Sequence, residues 1–511
     1  MKKNLCALIT TLLMVIGVQA DTHSALWGID GEHWTPESRL PDFSFAGYHR
    51  GEKPLPALAV THNVRDFGAV GDGKTDDTEA FQRALAEVKE GVILVPEGRY
   101  VITNFLAIDK PNLVLRGEDP AKSILYCPKP LNDIKENWGA TTSGQRTSNY
   151  SWSGGFISIR GSFQSKPLAN ISGPAKRGAR TVIVDDGTGL SVGQEVELRQ
   201  VDDVGNSLAN HLYSGDPRIS MEKIGGRTQA SLVARITKID GAEVTLDRPL
   251  RCDVDAAWKP TLHRFDPTVT ESGIENLRFE FPNTPYQGHF TELGFNAIAF
   301  AETAHCWARN IHIHNADSGG FISGYFNTID GVVFTSDREE DKNRKSKGHH
   351  GITLGGNDNF LTNFDFRMPF IHDITVTHCS GNVISNGRGV DLALDHHRRA
   401  PYENLFTNID AGRGARLWNS GGGQALGAHC GARGTFWNIR SESPIAPPDA
   451  NFGPWSMNLV GVKMNVDPET NLEGRWHEHT NTGDIQPKNL HEAQLERRLS
   501  GGTQQAGPTN P

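Results

Sequence analysis

The chain has 511 residues, of which 55 are glycine, and a formal net charge of −9. A mildly acidic chain excludes nucleic acid as the main partner, because nucleic-acid binding needs a basic surface. The length predicts several domains or one elongated repeat, and the glycine content favours a turn-rich β protein over a helical one.

Residues 1–20 have the pattern of a secretory signal peptide. Lys2 and Lys3 precede an apolar run of about 14 residues that ends at the small-residue sequence VQA. The run is shorter than the roughly 20 residues of a membrane span. We therefore predict a secreted or periplasmic protein without membrane contact after signal cleavage. Residues 21–60, which are aperiodic and contain several prolines, are predicted to form an N-terminal arm.

The segment after the arm combines a turn, a helix and a short strand. A turn rich in Gly and Asp precedes Phe81, Leu85 and Val88, which recur at helical spacing. The sequences DFGAVGDGKTDDTEAFQRAL and GVILVPEGRYVI in this segment resemble the first part of the pectate-lyase-like, right-handed parallel β-helix superfamily, which includes polysaccharide lyases, polygalacturonases and phage tailspikes. The resemblance implies an all-β, single-stranded parallel β-helix whose N-terminal end is capped by the helix, beginning within residues 61–172.

Short strands with a common pattern fill residues 263–475, the predicted main β-helix. Each places an Asn or Asp near apolar residues at period two, which suits stacked parallel coils with asparagine at the turns. The predicted strands are ENLRFEF, ARNIHIHN, NTIDGVVFT, LTNFDF, HDITVTH, ENLFTNID and TFWNIR.

Two regions differ from the coils. Residues 173–262 contain strands joined by Gly and Asp turns, which predicts a small inserted antiparallel β module. Residues 476–511 are predicted to form a C-terminal helix, with leucines on one face, followed by a disordered tail.

The stretch GRGVDLALDHHRR, residues 387–399, is the candidate for chemistry. Alternation along a strand predicts that Val390, Leu392 and Leu394 point inward, while Asp391 and Asp395 point outward. Two histidines and two arginines follow. Neighbouring coils lie about 4.8 Å apart, so the GHHG sequence at residues 348–351 and the GRGARLW sequence at residues 412–418 can contribute to the same patch.

We predict catalytic roles for His349, His350, Asp391, Asp395, His396, His397 and Arg398. A histidine is expected to be the base, because an unperturbed imidazole titrates near pH 6.5. Four further residues are expected to bind substrate: Arg388, Arg413 and Arg416 would hold a carboxylate or sulfate, and Trp418 would stack on a sugar.

The favoured reaction is β-elimination of an acidic, uronic-acid-containing polysaccharide, which needs a base and a neutralised carboxylate. Glycoside hydrolysis of an acidic or sulfated polysaccharide is the alternative. On one straight strand Asp391 and Asp395 would lie roughly 13 Å apart, too far for an inverting pair. The sequence also lacks the NTD, DD, GHG and RIK set of polygalacturonases, and GHHG matches it only in part.

Two further alternatives stay open. No cofactor is predicted unless Ca²⁺ binds Asp358, Asp391 and Asp395, since carboxylates on adjacent coils are suitable ligands. The protein can also be a non-catalytic polysaccharide-binding β-helix.

Overall fold

A computed structural model describes residues 22–141, 143–224, 228–465, 476–478 and 485–501. The predicted signal peptide lies outside the described residues, as does the predicted disordered tail after residue 501. Within the part of the chain that is described, no helix is both long and apolar enough to cross a bilayer.

Seven parallel strands form one face of the molecule, which we call the site sheet. Each strand pairs with the strand of the next coil, so residues far apart in sequence become lateral neighbours. The strands are Leu106–Ile108, Ile157–Arg160, Asn296–Ala304, Ser318–Tyr325, His350–Leu354, His372–Val376 and Leu394–His396.

The other strands of the coils also pair in parallel. They are His62–Asn63, Asp72–Asp76, Gly91–Val95, Gly98–Val101, Leu113–Gly117, Ser123–Tyr126, Gly273–Glu280, Trp307–His314, Thr328–Thr335, Phe360–Thr362, Asp365–Phe366, Val383–Ser385, Arg388–Gly389, Leu405–Asp410, Thr435–Arg440, Asn458–Val462 and Trp476–Glu478. The predicted parallel β-helix is therefore confirmed.

Stacked side chains explain why the coils hold together. One inward row of the site sheet contains Ile159, Phe300, Ile322, Leu354 and Val376, all within 2% of complete burial. Rows of this kind remove a continuous apolar core from water, which is the main source of stability in a solenoid.

Asparagines mark one set of corners, as the repeated pattern predicts. They adopt left-handed backbone angles, with φ of 53–56°, which asparagine tolerates better than other non-glycine residues. Their side chains also form a ladder between coils: the amide of Asn310 donates to Asn276 at 2.9 Å, and that of Asn408 donates to Asn386 at 2.8 Å.

The inserted module is an antiparallel sheet with its own apolar core. Its strands are Pro167–Asn170, Thr181–Ile183, Glu195–Val201, Gln229–Asp240, Glu243–Leu246 and Thr261–Arg264. The sheet thus extends a few residues beyond the predicted range of 173–262 at each end.

Helices lie at the margins of the coils. Thr78–Glu87 buries Phe81 and Leu85 in the main core, and Leu490–Leu499 packs with the N-terminal arm through Leu490 and Trp27. The remaining helices and small strand pairs are Leu131–Ile134, Ser207–Leu212, the 3-10 helices Tyr48–Gly51, Val64–Phe67, Asn149–Ser151 and Ala256–Trp258, the parallel pair Thr22–His23 with Ile485–Gln486, and the antiparallel pair Trp138–Ala140 with Arg146–Ser148.

Candidate functional site

The strand His350–Leu354 of the site sheet starts with a local break in alternation. In His350–Leu354, both Gly351 and Ile352 face the core, since a Cβ on Gly351 would collide with the buried ring of Phe366. His350 therefore faces outward. It lies opposite His372 in the next coil, and the two imidazole rings stack with centroids 4.9 Å apart.

The structure brings the two double-histidine segments together on this outward face. The rings of His349 and His350 are 4.1 Å apart, and the rings of His350 and His397 are 6.3 Å apart. His372, which lies between them, is 5.4 Å from His397. We call His289, His349, His350, His372 and His397 the histidine cluster.

Asp395 is a buried carboxylate beside His372 and His397 of the cluster. It lies opposite Thr375 in the sheet register, and its carboxylate accepts bonds from His397 Nδ1 at 2.8 Å, Thr375 Oγ1 at 3.0 Å and the backbone N of Gly421 at 2.7 Å. Burial opposes ionisation of this carboxyl, but His372 and His397 outweigh burial and hold its pKa below the usual range.

His397 differs electrostatically from its neighbours. Burial lowers the pKa of its imidazole, but the carboxylate of Asp395 outweighs burial, so the net pKa is raised. Its side chain is 34% exposed. By contrast, burial lowers the pKa of His289 and His372 to about 3 each and lowers the pKa of His350 well below its normal value. Burial therefore favours the neutral form of these three imidazoles.

A loop before the strand Asn296–Ala304 completes the cluster, and the sequence did not reveal it. The ring of His289 lies 4.5 Å from that of His349, and Oε1 of Glu292 lies 3.4 Å from His349 Nδ1. The hydroxyl of Tyr286 donates to the same carboxylate. The one sequence signal for this part of the site was that a tyrosine, a histidine and a glutamate occur within seven residues, in a loop that also contains a glycine.

Asp391 and Asp395 do not lie on one strand, contrary to the predicted alternation. The chain turns between Arg388–Gly389 and Leu394–His396, which belong to different sheets, and Val390 is 42% exposed instead of pointing inward. Asp391 accepts a bond from the backbone N of Ala415 at 2.9 Å. The structure therefore separates Asp391 from the environment that Asp395 shares with the histidines.

His396 faces the core rather than the cluster. The strand continues through His396, so alternation directs this side chain inward, onto the rings of Phe406, Phe436 and Phe452 at 5.1–5.5 Å. Its Nδ1 donates to the carbonyl of Leu394, and burial lowers its pKa to about 4. His396 is thus a core residue.

Arg398 and Trp418 also make structural contacts. Arg398 is buried and donates to the carbonyl of Gly427 at 2.6 Å and to His429 at 3.0 Å. The indole of Trp418 is partly buried, donates to the carbonyl of Ala446 and packs edge-on against Phe436, and its stacking on a sugar stays a prediction.

The three arginines predicted to bind substrate have different environments. Arg416 donates to Asp373 and to the carbonyl of Asp391, which fixes the corner beneath the cluster. Arg388 and Arg413 are 65% and 64% exposed beside carboxylates. Of the three arginines predicted to bind substrate, Arg388 and Arg413 are the two whose guanidinium groups face solvent.

The predicted calcium ligands are not brought together. Asp358 is buried between Arg248 and Arg251 of the inserted module, which neutralise it. Within the described ranges, both groups of side chains close enough to share one ion include His372: His289, His349 and His372, and His372, Asp395 and His397. Neither group contains Asp358 or Asp391, so the structure offers no shared site for the three carboxylates.

Comparison with known proteins gives matches over short segments. Residues 61–130 match a family model described as rhamnogalacturonase A/epimerase, pectate lyase-like. Alginate lyase 7 of Azotobacter vinelandii is 28% identical over 100 residues, which are 18% of this chain and 12% of that protein. The pre-neck appendage protein of Bacillus phage B103 is 30% identical over 96 residues, 18% of this chain and 11% of that protein.

Among solved structures, the tailspike protein gp49 of Pseudomonas phage LKA1 has a TM-score of 0.42 and 14% identity. The alignment covers 78% of this chain and 70% of the tailspike chain. The family match over residues 61–130 and the parallel coils together support a fold of the pectate-lyase-like, right-handed parallel β-helix superfamily.

Proposed function

We propose that the protein cleaves an acidic, uronic-acid-containing polysaccharide by β-elimination at the histidine cluster. The observation that carries this proposal is the pairing of His397, partly exposed on the outward face, with the buried carboxylate of Asp395. A carboxylate that holds one imidazole nitrogen fixes the tautomer and orientation of the ring. His397 is therefore the proposed base.

The chemistry requires one proton to be removed and one to be supplied. Nε2 of His397 takes the C5 proton of the uronate, because Nδ1 donates its own hydrogen to Asp395. The C5–H electron pair forms a C4=C5 double bond while the bond from C4 to the glycosidic oxygen breaks. The leaving oxygen then takes up a proton from solvent water, and the products are an unsaturated uronate and a new reducing end.

The carboxylates of the cluster favour elimination over hydrolysis. A glycosidase needs two carboxyl groups that reach the sugar from opposite sides. The side chains of Asp395 and Glu292 are both 0% exposed and are occupied by histidine and tyrosine partners. Neither carboxylate can contact a glycosidic oxygen without rearrangement, whereas His397 is accessible.

A row of paired positions on the site sheet marks the direction in which the polysaccharide would run from the cluster. Laterally paired, outward-facing positions run from Asp395 through the five coils before it: Thr375, Thr353, Phe321, Ala299 and Ser158. Five steps of the sheet spacing give a length of roughly 24 Å. The row ends at a cavity of about 560 Å³ whose lining includes Ser158, Tyr150 and Arg160.

The similarity to alginate lyase 7 makes alginate the first polysaccharide to test. Pectate and sulfated polysaccharides complete the panel. The predicted signal peptide would deliver the protein to the compartment where such polymers occur.

The decisive experiment incubates the purified full chain with each polysaccharide and follows the absorbance of unsaturated uronate together with reducing ends. A rise in both supports elimination, and reducing ends alone would instead mean hydrolysis. Retention on a polysaccharide gel without either product would mean a binding protein. His397→Ala should abolish the reaction. The matched control is His378→Ala, which removes an exposed histidine two residues beyond the neighbouring strand.

A further inference from the structure

Three imidazoles of the cluster lie close enough to share one ion. One nitrogen each from His289, His349 and His372 lie within 4.8 Å of one another. His349 and His372 are 2% and 6% exposed, and His289 lies at the surface of the same group. His372 lies on a strand, His349 directly precedes the strand His350–Leu354, and His289 lies on a loop, so only the folded chain assembles them.

Two of these side chains carry buried nitrogens without a hydrogen bond. Nδ1 of His349 and Nδ1 of His372 are both buried and lack a partner of acceptable geometry, although carboxylate oxygens lie 3.4 Å and 3.3 Å away. Buried polar atoms are almost always bonded, and an exception requires an explanation such as an ion. Oε2 of Glu292, beside His349, is also without a partner.

We propose that His289, His349 and His372 bind a first-row transition-metal dication, with Zn²⁺ as the expected ion. Imidazole suits zinc, copper, nickel and iron, and three histidines with an open fourth position is a known arrangement for reactive zinc. Ligands at about 2.1 Å in a tetrahedron are roughly 3.4 Å apart, so small side-chain shifts close the group around the ion.

Carboxylates placed behind the histidines support the same assignment. Glu292 lies beside His349, and Asp395 lies beside His372. Both carboxylates lie beside the unpartnered Nδ1 atoms and add negative charge next to the ion. They would act as orienting partners of the rings where Nε2 is the ligand atom. Ca²⁺ is a poor candidate, because it requires six to eight oxygen ligands and this group presents mainly nitrogen.

The site also deepens the proposed function, on which this role of the metal rests. Elimination needs the uronate carboxylate neutralised, and one of the three arginines predicted for that task, Arg416, is bonded to Asp373. A dication held next to His397 would supply the missing positive charge. His397 and Asp395 would then remain as the base and its positioning residue.

Binding is tested on the untagged full chain after EDTA treatment and buffer exchange. Isothermal titration with ZnCl₂ should show one ion per chain, and CoCl₂ should produce the visible absorbance bands of a nitrogen-ligated cobalt ion. His289→Ala should weaken both by at least the roughly ten- to hundredfold that loss of an outer partner costs. Glu292→Gln should weaken binding by that amount, and His378→Ala should leave it unchanged.

Circular dichroism and the unfolding temperature show whether each variant is folded. Because His289 is partly exposed, its alanine variant is the one least expected to disturb the fold. No saturable binding to the wild type would overturn the proposal, as would wild-type affinity in both folded His289→Ala and His372→Gln. Metal binding without cleavage of any polysaccharide would refute the proposed function and leave the metal site standing. Polysaccharide cleavage by a protein that binds no metal would refute the metal site and leave the proposed function standing.

Discussion

Replacing Asp395 with asparagine tests the proposed base most directly. The carboxylate accepts three bonds, from His397 Nδ1, Thr375 Oγ1 and the backbone N of Gly421. An asparagine has one oxygen and one NH₂ group, so the NH₂ must face at least one of these donors. The His397 ring would then lose its fixed tautomer, and Nε2 would no longer be held as the acceptor.

The expected magnitude follows from what the base contributes. General base catalysis is worth roughly 10²- to 10⁴-fold, equivalent to about 3 to 5 kcal/mol of transition-state stabilisation. A buried donor left without a partner costs about 1 to 3 kcal/mol of folding stability. Asp395→Asn should therefore reduce kcat by two to four orders of magnitude, with a much smaller change in KM and a folded chain.

Steady-state kinetics on the cleaved polysaccharide measure this split, and circular dichroism checks the fold. The matched control is Thr375→Val, which removes one donor to Asp395 at nearly constant volume and leaves the His397 bond intact. We expect less than a tenfold loss in kcat for this control. If folded Asp395→Asn keeps more than a tenth of the wild-type kcat, Asp395 does not position the base.

Three further outcomes are expected. Asp358→Asn leaves Arg248 and Arg251 buried without their shared carboxylate, so urea unfolding should show a loss of roughly 3 to 5 kcal/mol, and an unchanged midpoint would refute the docking role. Burial lowers the pKa of His491 to about 4, and since the unfolded chain takes up that proton near pH 6.5, this one group should contribute roughly 3 kcal/mol to the loss of stability between pH 6.5 and 4; His491→Gln should reduce the loss measured in urea curves by that amount. Ser158→Trp, in the polysaccharide path, should raise KM for long chains but not for short oligosaccharides, and equal effects on both would argue against the path.

The sequence predicted the coils well because their signals are local. Asparagine at a corner and apolar residues at period two are each encoded within a few residues, and strands such as Thr435–Arg440 appear where they were expected. Ser318–Tyr325, which carries three glycines, was not predicted. This strand forms because it pairs with Asn296–Ala304 on one side and His350–Leu354 on the other. Pairing between distant segments cannot be read from the local sequence.

Within the site, local patterns predicted which residues were present but not all of their directions. His349, His350, Asp395 and His397 meet as expected, because adjacent coils place them in register. His396 was predicted to be catalytic, although continued alternation along the strand would have directed it inward.

Partners distant in sequence account for the remaining differences. The arginines that neutralise Asp358 lie about a hundred residues earlier, in the inserted module. Glu292 and His289 belong to a loop without periodicity. Loop lengths between coils decide which side chains become neighbours, and no pattern within a single coil encodes those lengths.

The histidine cluster is costly to fold, and that cost bears on its role. Each buried polar atom without a partner costs about 1 to 3 kcal/mol, and His349, His372 and Glu292 contribute three such atoms within one small region. Apolar side chains in place of His349, His372 and Glu292 would avoid this cost, because they would add to the apolar core. Functional sites are where proteins retain such local destabilisation, and a long stack of coils can tolerate it because each coil depends mainly on its two neighbours. The paired side chains of Thr353, Thr375 and Asp395 have hydrogen-bond partners, whereas Nδ1 of His349 and Nδ1 of His372 next to them do not. The imidazoles without partners are therefore the part of this face that is arranged to receive a ligand.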